Sequence, residues 1–348
     1  MVFTKSTQHL YTNLAHLAQT RTLFGQQDAL AYGVGWTART VDRSDVKDTC
    51  GSHPAVFGWD VGRIGQEEYN LDGVPFQRMR EGIIAAYRAG GVNTISWHLD
   101  NFLGGDSWAV GPPTVRAILP GGSHHAIYRE RLDHLAAFFD SLETGFPYPR
   151  PIPIVFRPFH EHTGSWFWWG KPHVTAAEYR ALWQFTVHYL QDEKQIHHLI
   201  WCYSPDVCET EEQYLEYYPG DDYVDVLGLD DYHDLGRFGK MSDLTRRLRM
   251  LTTLAAARGK IAALTETGVE GVPDARWWTQ TLLPALHADP AAARIAWLLV
   301  WRNANHKHHY GPYPDHPSAP DFRAFAADER MVLLDGVPPL YASSFSPL

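Results

Sequence analysis

Residues 154–170 read IVFRPFHEHTGSWFWWG. Ile154-Val155-Phe156 is apolar at successive positions, the pattern of a strand buried on both faces, as in a parallel sheet. Arg157-Pro158 closes the run, because proline has no N–H to give to a sheet ladder. His160-Glu161-His162 follows, then a turn at Thr163-Gly164, then Trp166, Phe167, Trp168 and Trp169. The strand therefore ends in a cation, an acid between two histidines and a wall of rings. Flat rings cover the apolar faces of a pyranose, and a carboxyl group can exchange a proton with a glycosidic oxygen, so this stretch suits carbohydrate chemistry.

Similar apolar runs recur on both sides of it. Upstream lie residues 29–36 (ALAYGVGW), 55–61 (AVFGWDV) and 92–98 (VNTISWH); downstream lie 198–203 (HLIWCY), 224–229 (VDVLGL), 261–266 (IAALTE) and 295–301 (IAWLLVW). Segments with helical spacing separate them, among them residues 76–87, 125–143, 175–192 with Thr175 and Glu178 in capping-box spacing, 242–258 and 274–287. Eight short strands alternating with helices, with no composition break, predict an α/β fold with a parallel sheet, and eight is the number that closes a (β/α)8 TIM barrel as a single domain. A doubly wound open sheet competes, but the Tyr32-Gly33-Val34-Gly35-Trp36 segment lacks the Gly-rich phosphate loop expected after its first strand. Residues 1–28 read as an N-terminal arm or helix with Leu10, Leu14 and Leu17 on one face, and residues 29–348 as the barrel.

Composition narrows the function. The 348-residue chain carries 13 Trp and 13% aromatics, heavy for a generic globular protein. A formal charge of −10 argues against nucleic acid as a partner, which needs a basic face. No apolar run is long enough to span a membrane. The three cysteines, Cys50, Cys202 and Cys208, form no CxxC and read as free buried thiols. Residues 1–14 (MVFTKSTQHLYTNL) lack the apolar core of a signal peptide.

In a barrel the active site lies at the C-terminal strand ends. The third strand ends in Trp97-His98, followed by Asp100 and Asn101; the fourth delivers Arg157, His160 and Glu161; the sixth ends in Asp230-Asp231-Tyr232; the seventh in Thr265-Glu266; the eighth in Trp301-Arg302. Glu161 and Glu266, distant in sequence, would face each other across the mouth. A retaining glycosidase places two carboxyl groups about 5–5.5 Å apart, one a nucleophile and one an acid/base. Burial against Trp166 and Trp168 would keep Glu161 protonated, while Arg157 or Tyr232 would hold Glu266 ionised. Asp230 would touch Arg157 or the nucleophile. Trp36, Trp59 and Trp108 are either cleft platforms or core.

The segment Arg157-Pro158-Phe159-His160-Glu161-His162-Thr163-Gly164-Ser165-Trp166-Phe167-Trp168-Trp169-Gly170 resembles the fourth-strand signature of family 26 glycoside hydrolases, mainly β-1,4-mannanases. Thr265-Glu266-Thr267-Gly268, Val300-Trp301-Arg302-Asn303 and the segment from Pro312 through Asp315-His316 to Pro317 extend the likeness, which covers roughly residues 55–322. It implies Glu161 as acid/base and Glu266 as nucleophile of a retaining mechanism without metal or cofactor. It further implies His160 at the 2-hydroxyl, Tyr232 under the nucleophile, Trp301 beneath the sugar being cleaved and Trp166 on the leaving-group side. Arg302 and His316 would grip the next mannose, and His98 matches a third-strand histidine. Loop residues 101–123, with Asn101 and Trp108, border the glycone side and would either leave the cleft open to mid-chain attack or wall it for mannobiose release.

The expected substrate is β-mannan or manno-oligosaccharide, met outside the cytoplasm by a monomer that is secreted, periplasmic or cell-surface. The same mechanism on mixed-linkage β-glucan or β-1,3-xylan, and a barrel that binds polysaccharide without cutting it, are the rivals. The Asn305-His306-Lys307-His308-His309 tract invites a metal, but no acid stands at ligand spacing, so no metal is expected.

Overall fold

The computed structural model describes residues 2–111, 113–145, 147–236 and 239–343. Eight parallel strands follow one another around a closed barrel: β1 (Thr22–Gln27), β2 (Val56–Asp60), β3 (Val92–Trp97), β4 (Ile154–Pro158), β5 (Leu199–Tyr203), β6 (Val226–Asp231), β7 (Ile261–Thr267) and β8 (Trp297–Val300). β8 pairs back onto β1, from Leu23↔Trp297 to Gln26↔Val300, so no edge is left open. Helices cover the outside, among them Phe76–Arg88, His125–Ser141, Ala176–His188 and Met241–Ala257. The predicted capping box forms: the Thr175 hydroxyl accepts from the Glu178 N–H, and the Glu178 carboxylate accepts from the Thr175 N–H.

Side chains alternate across each strand, so every second residue enters the barrel. Near the N-terminal ends these inward positions are apolar: Val56, Val92, Val155, Ile200, Cys202, Val226, Ile261, Ala263 and Leu299 form one buried cluster. Helix Lys5–Leu17 plugs that end, adding Leu10, Leu14 and Leu17 to the cluster. Burying each leucine contributes about 1.5–3 kcal/mol. Two or four residues further along the same faces the sequence turns polar, with Asp60, Ser96, Arg157, Ser204 and Asp230, all buried. The apolar plug at one end and the polar layer at the other position the site.

β7 departs from this alternation where it matters. Leu229 of β6 stands opposite Leu264, but Asp230 stands opposite Glu266, so β7 carries one extra residue at Thr265. A bulge of this kind re-aims the side chain that follows it. Thr265 turns its hydroxyl to Leu229 O (3.0 Å) and Asp230 Oδ1 (2.6 Å), and Glu266 enters the mouth beside Asp230.

The first barrel strand is not residues 29–36. It is Thr22–Gln27, whose TLFGQQ sequence reads as polar although all six residues are buried. Residues 29–36 instead run into a small hairpin pairing Tyr32-Gly33 with Trp36-Thr37, turned at Gly35 with φ 81°. The barrel thus begins inside the segment read as an arm, and the boundary at 28/29 separates nothing. The polar segment that follows forms helix Asp45–Cys50, capped by Ser44. Trp59 is core, donating to Asn93 Oδ1 at 2.9 Å. Cys50, Cys202 and Cys208 are free thiols, the last two buried. Among the described residues no helix is long and apolar enough to cross a membrane.

Candidate active site

Past Pro158 the chain leaves the ladder through a turn that sets Phe159 at φ 51° and Glu161 at φ 53°. For residues with a Cβ this left-handed conformation costs about 1–3 kcal/mol each and persists only where neighbours enforce it. Here they do. The Glu161 N–H donates to Ser204 O at 2.8 Å, the Gly164 N–H to Glu161 O at 2.9 Å, the Tyr179 hydroxyl to Phe159 O at 2.9 Å and the Trp169 indole to His160 O at 2.8 Å. The aromatic run after Gly164 therefore splits in two. Trp166 and Phe167 face a cavity, whereas Trp168 and Trp169 are buried, their N–H groups committed to Leu99 O and His160 O. Trp168, expected to shield Glu161, instead ties this segment to Leu99 and Ser107 after β3.

The cavity holds about 350 Å³ and opens at the C-terminal rim of the barrel. Glu161 and Glu266 both line it, with His98, Trp108, His160, Trp166, Phe167, Tyr232, Trp301 and Tyr310. Beneath it Arg157 is sandwiched between two acids. Its Nη1 donates to Asp230 Oδ2 at 2.7 Å and Ser204 Oγ at 3.0 Å, and its Nη2 donates to Glu266 Oε1. Burial opposes the guanidinium charge, but Asp230 and Glu266 outweigh it and hold Arg157 above the ordinary arginine value. The other Glu266 oxygen accepts from the Tyr232 hydroxyl at 2.8 Å. Burial, then Glu266 and Glu161, push that phenol well above its ordinary value, so it remains a donor. Both oxygens of Glu266 are thus aimed and satisfied, which suits a carboxylate.

Glu161 is placed differently. It keeps one face on the cavity and accepts a single indole N–H, from Trp166 Nε1 at 2.7 Å. Burial first, then the charges of Glu266, Asp230 and Asp206, raise its carboxyl well above the ordinary range; the Trp166 bond pulls the other way. Two carboxyl groups at one cavity, one clamped by a cation and one pushed toward its acid form, can serve as nucleophile and acid.

A prediction follows for Trp166→Phe. A hydrogen bond to a charged group is worth about 1.5–3 kcal/mol, and this one favours the carboxylate of Glu161. Without it the acid form survives to higher pH, so the alkaline limb of the kcat/KM profile is expected to move up in pH. A profile that keeps its alkaline limb, or moves it down, would contradict this assignment.

Three further residues expected along the sugar chain do not line this cavity. Arg302 is half-buried outside this cavity, bound to Asp72 (3.0 Å) and to the Tyr32 hydroxyl (3.3 Å). His316 is buried with its Nδ1 2.8 Å from Ser318 Oγ, its ring 5.1 Å from those of His309 and Tyr313. Asn101 folds its own loop, donating to Ala109 O at 2.6 Å and accepting from the Leu103 N–H at 2.8 Å. That fold carries Trp108, about half exposed, to the cavity wall, where it stacks on His98 with centroids 5.5 Å apart. Sequence reading missed Asp60, Tyr310 and Glu270. Asp60 anchors His98 from below, and the other two line the cavity. Phe167 was legible in the quoted stretch, but nothing local marked Asp60. In the histidine tract His308 pairs with Glu270 at 2.6 Å, and among the described residues no three His, Cys, Asp or Glu side chains converge as a metal site requires.

The sequence profile of glycosyl hydrolase family 26 matches residues 3–278. A mannan endo-1,4-beta-mannosidase of Bifidobacterium adolescentis is 30% identical over 355 residues, covering 95% of this chain and 35% of that protein. The chain thus spans about a third of that relative's length. A GH26 beta-mannanase structure from Bacteroides ovatus superposes with a TM-score of 0.92 at 40% identity, covering 99% of both chains. A modular endo-beta-1,4-mannanase from Cellulomonas fimi superposes at 0.89 with 37% identity, covering 99% of this chain and 78% of the other.

Proposed function

The chain belongs to glycosyl hydrolase family 26, and we propose that it cleaves β-1,4-mannosidic bonds in mannan, galactomannan or glucomannan, endo-fashion, with retention of configuration. One observation carries this reading: Glu161, raised toward its acid form, and Glu266, held by Arg157 and Tyr232, line one aromatic cavity at the C-terminal rim. The names of the Bifidobacterium, Bacteroides and Cellulomonas proteins support the substrate.

In the first step the Glu266 carboxylate attacks the anomeric carbon while the Glu161 carboxyl group gives its proton to the glycosidic oxygen. The leaving sugar departs as an alcohol, and the mannosyl residue is esterified to Glu266. In the second step the Glu161 carboxylate takes a proton from water as the water oxygen attacks the same carbon, releasing Glu266. Arg157 and Tyr232 steady the charge that Glu266 loses and regains, and Trp301 and Trp166 offer faces for sugars on either side of the bond. Because its substrate is a polymer, the reaction belongs outside the cytoplasm, in a secreted, periplasmic or cell-surface protein.

The test is a product time course on linear mannan, galactomannan, xylan and mixed-linkage glucan, with the anomer of the first products read by proton NMR. A spread of β-configured manno-oligosaccharides at early times is the expected result. Mannobiose alone from the outset would replace endo by exo action, α-configured first products would replace retention by inversion, and hydrolysis confined to xylan or glucan would overturn the substrate.

A further inference from the structure

The layer beneath the sugar-facing histidines is unusually well built. Asp60 ends β2, and its buried carboxylate accepts from four donors: the Gly62 N–H on Oδ1 at 2.7 Å, and on Oδ2 the Ser96 hydroxyl at 2.7 Å, the His98 N–H at 3.2 Å and His98 Nδ1 at 2.7 Å. That is the full inventory of an acceptor-only group. Gly62 allows the close approach, since a Cβ there would lie 2.7 Å from His98 O and 2.9 Å from Asp60 Oδ1. The far nitrogen of His98, Nε2, stands 3.3 Å from Nε2 of His160. Of two imidazole nitrogens that meet this way one donates and the other accepts. Nδ1 of His160 is buried and has no partner among the described residues.

We propose that Asp60 is a positioning residue of the reaction, acting through His98 to set the orientation and the protonated nitrogen of His160 at the wall of the sugar cavity. The inference rests on reading that cavity as a glycosidase site. With Nδ1–H committed to Asp60, His98 donates from Nε2 only as the imidazolium. Burial opposes that charge, but Asp60, supported by Glu266 and Asp72, outweighs burial and holds His98 above the ordinary histidine value. His160 is held far below it by burial, by Arg157 and by His98, so it carries one proton. Since its Nε2 accepts from His98, that proton sits on Nδ1. The groups facing His98 are Asp60 from β2, Asp72 from the following loop, Glu266 from β7 and His160 after β4. The rings of Trp108, Phe167 and Trp301 enclose the rest. Asparagine at position 60 keeps the shape and an acceptor for Nδ1–H but removes the charge. His98 then becomes neutral at lower pH, its Nε2 turns acceptor, and the His160 proton moves to Nε2, reversing the hydrogen bond that sets the His160 ring at the cavity wall.

The experiment compares the parent, Asp60→Asn, His98→Gln and the double variant on linear mannan, with thermal melts to show that each folds. Asp60→Asn is expected to lower kcat/KM by about 10–100-fold, the scale of a misplaced contact group. Its alkaline limb should begin at lower pH than the parent's, because the His98 imidazolium is lost as pH rises through a value that Asp60 no longer raises. In the His98→Gln background the same substitution should change kcat/KM by less than about twofold, since Asp60 acts through His98. Ring-nitrogen NMR of His98 in the sugar-free parent should show a charged ring at neutral pH, and in Asp60→Asn a neutral one. A folded Asp60→Asn with parental kcat/KM and pH profile, an undiminished loss in the His98→Gln background, or a neutral His98 ring in the parent overturns the proposal. The ring measurement needs no substrate and no variant, so it decides the matter even if Asp60→Asn does not fold. A parent that cuts no mannan removes the reading of function and leaves that measurement standing.

Discussion

Glu266→Ala is expected to lower kcat on mannan by about 10⁴–10⁶-fold, the loss that follows removal of a nucleophile from a group of residues acting together. The size follows from what the side chain has around it. Arg157 lies buried between Asp230 and Glu266, so the guanidinium has two carboxylates to satisfy it, and Tyr232 donates to the second Glu266 oxygen. These donors hold Glu266 in one rotamer before any sugar arrives, which is the orientation that turns an intermolecular attack into an intramolecular one. The other acid on Arg157 cannot replace it. Asp230 is buried and already binds Arg157, Ser204 and Thr265, and it does not line the cavity. Kinetics on purified, folded Glu266→Ala with linear mannan check this, and mass spectrometry of the parent treated with a 2-deoxy-2-fluoro-mannosyl substrate should find the label on the peptide containing Glu266. Activity above about one hundredth of the parent's would mean that another group attacks the anomeric carbon.

The parts legible in the sequence share a physical reason, and so do the parts that were not. Strands such as Ile154–Pro158 and Leu199–Tyr203 are buried on both faces, and continuous apolar runs are how such strands read. β1 breaks the rule because Gln26 and Gln27 lie at the polar mouth of the barrel, where buried side chains are no longer apolar, so its burial left no mark in the sequence. Glu161 and Glu266 could be found because strand ends carry chemistry, but their different environments could not. The aim of Glu266 depends on a one-residue bulge at Thr265, and a bulge is a property of pairing between two strands. Asp60 is one acid in the apolar run AVFGWDV, and its meaning lies in His98 on the next strand. The partners of Arg302 and His316 were equally illegible: Asp72 and Tyr32 hold the first, and Ser318, His309 and Tyr313 surround the second.

Glu161→Ala tests the other half of the chemistry and is expected to behave differently from Glu266→Ala. Loss of general acid catalysis should lower kcat/KM on mannan by about 10²–10⁴-fold, because the departing sugar hydroxyl is a poor leaving group unless protonated. On an aryl β-mannobioside whose phenol leaves without a proton, the first step should survive and the second become limiting, since no base remains to activate water. Azide, which needs no base, should then restore turnover and yield a β-mannosyl azide. The part of the alkaline limb that Glu161 sets should vanish with it, leaving the part set by His98. Stability supplies an independent check. The carboxyl of Glu161 is raised in the folded protein by burial and by Glu266, so folding favours its protonated form. Its contribution is complete below the ordinary glutamate value and is lost as pH rises through the raised one, because burying the charge opposes folding. Glu161→Gln removes that charge and keeps an acceptor for the Trp166 indole, so its thermal midpoint should fall less than the parent's as pH is raised from acid to neutral. Equal losses on mannan and on the activated aryl substrate, without rescue by azide, would show that Glu161 organises the cavity without handling the proton.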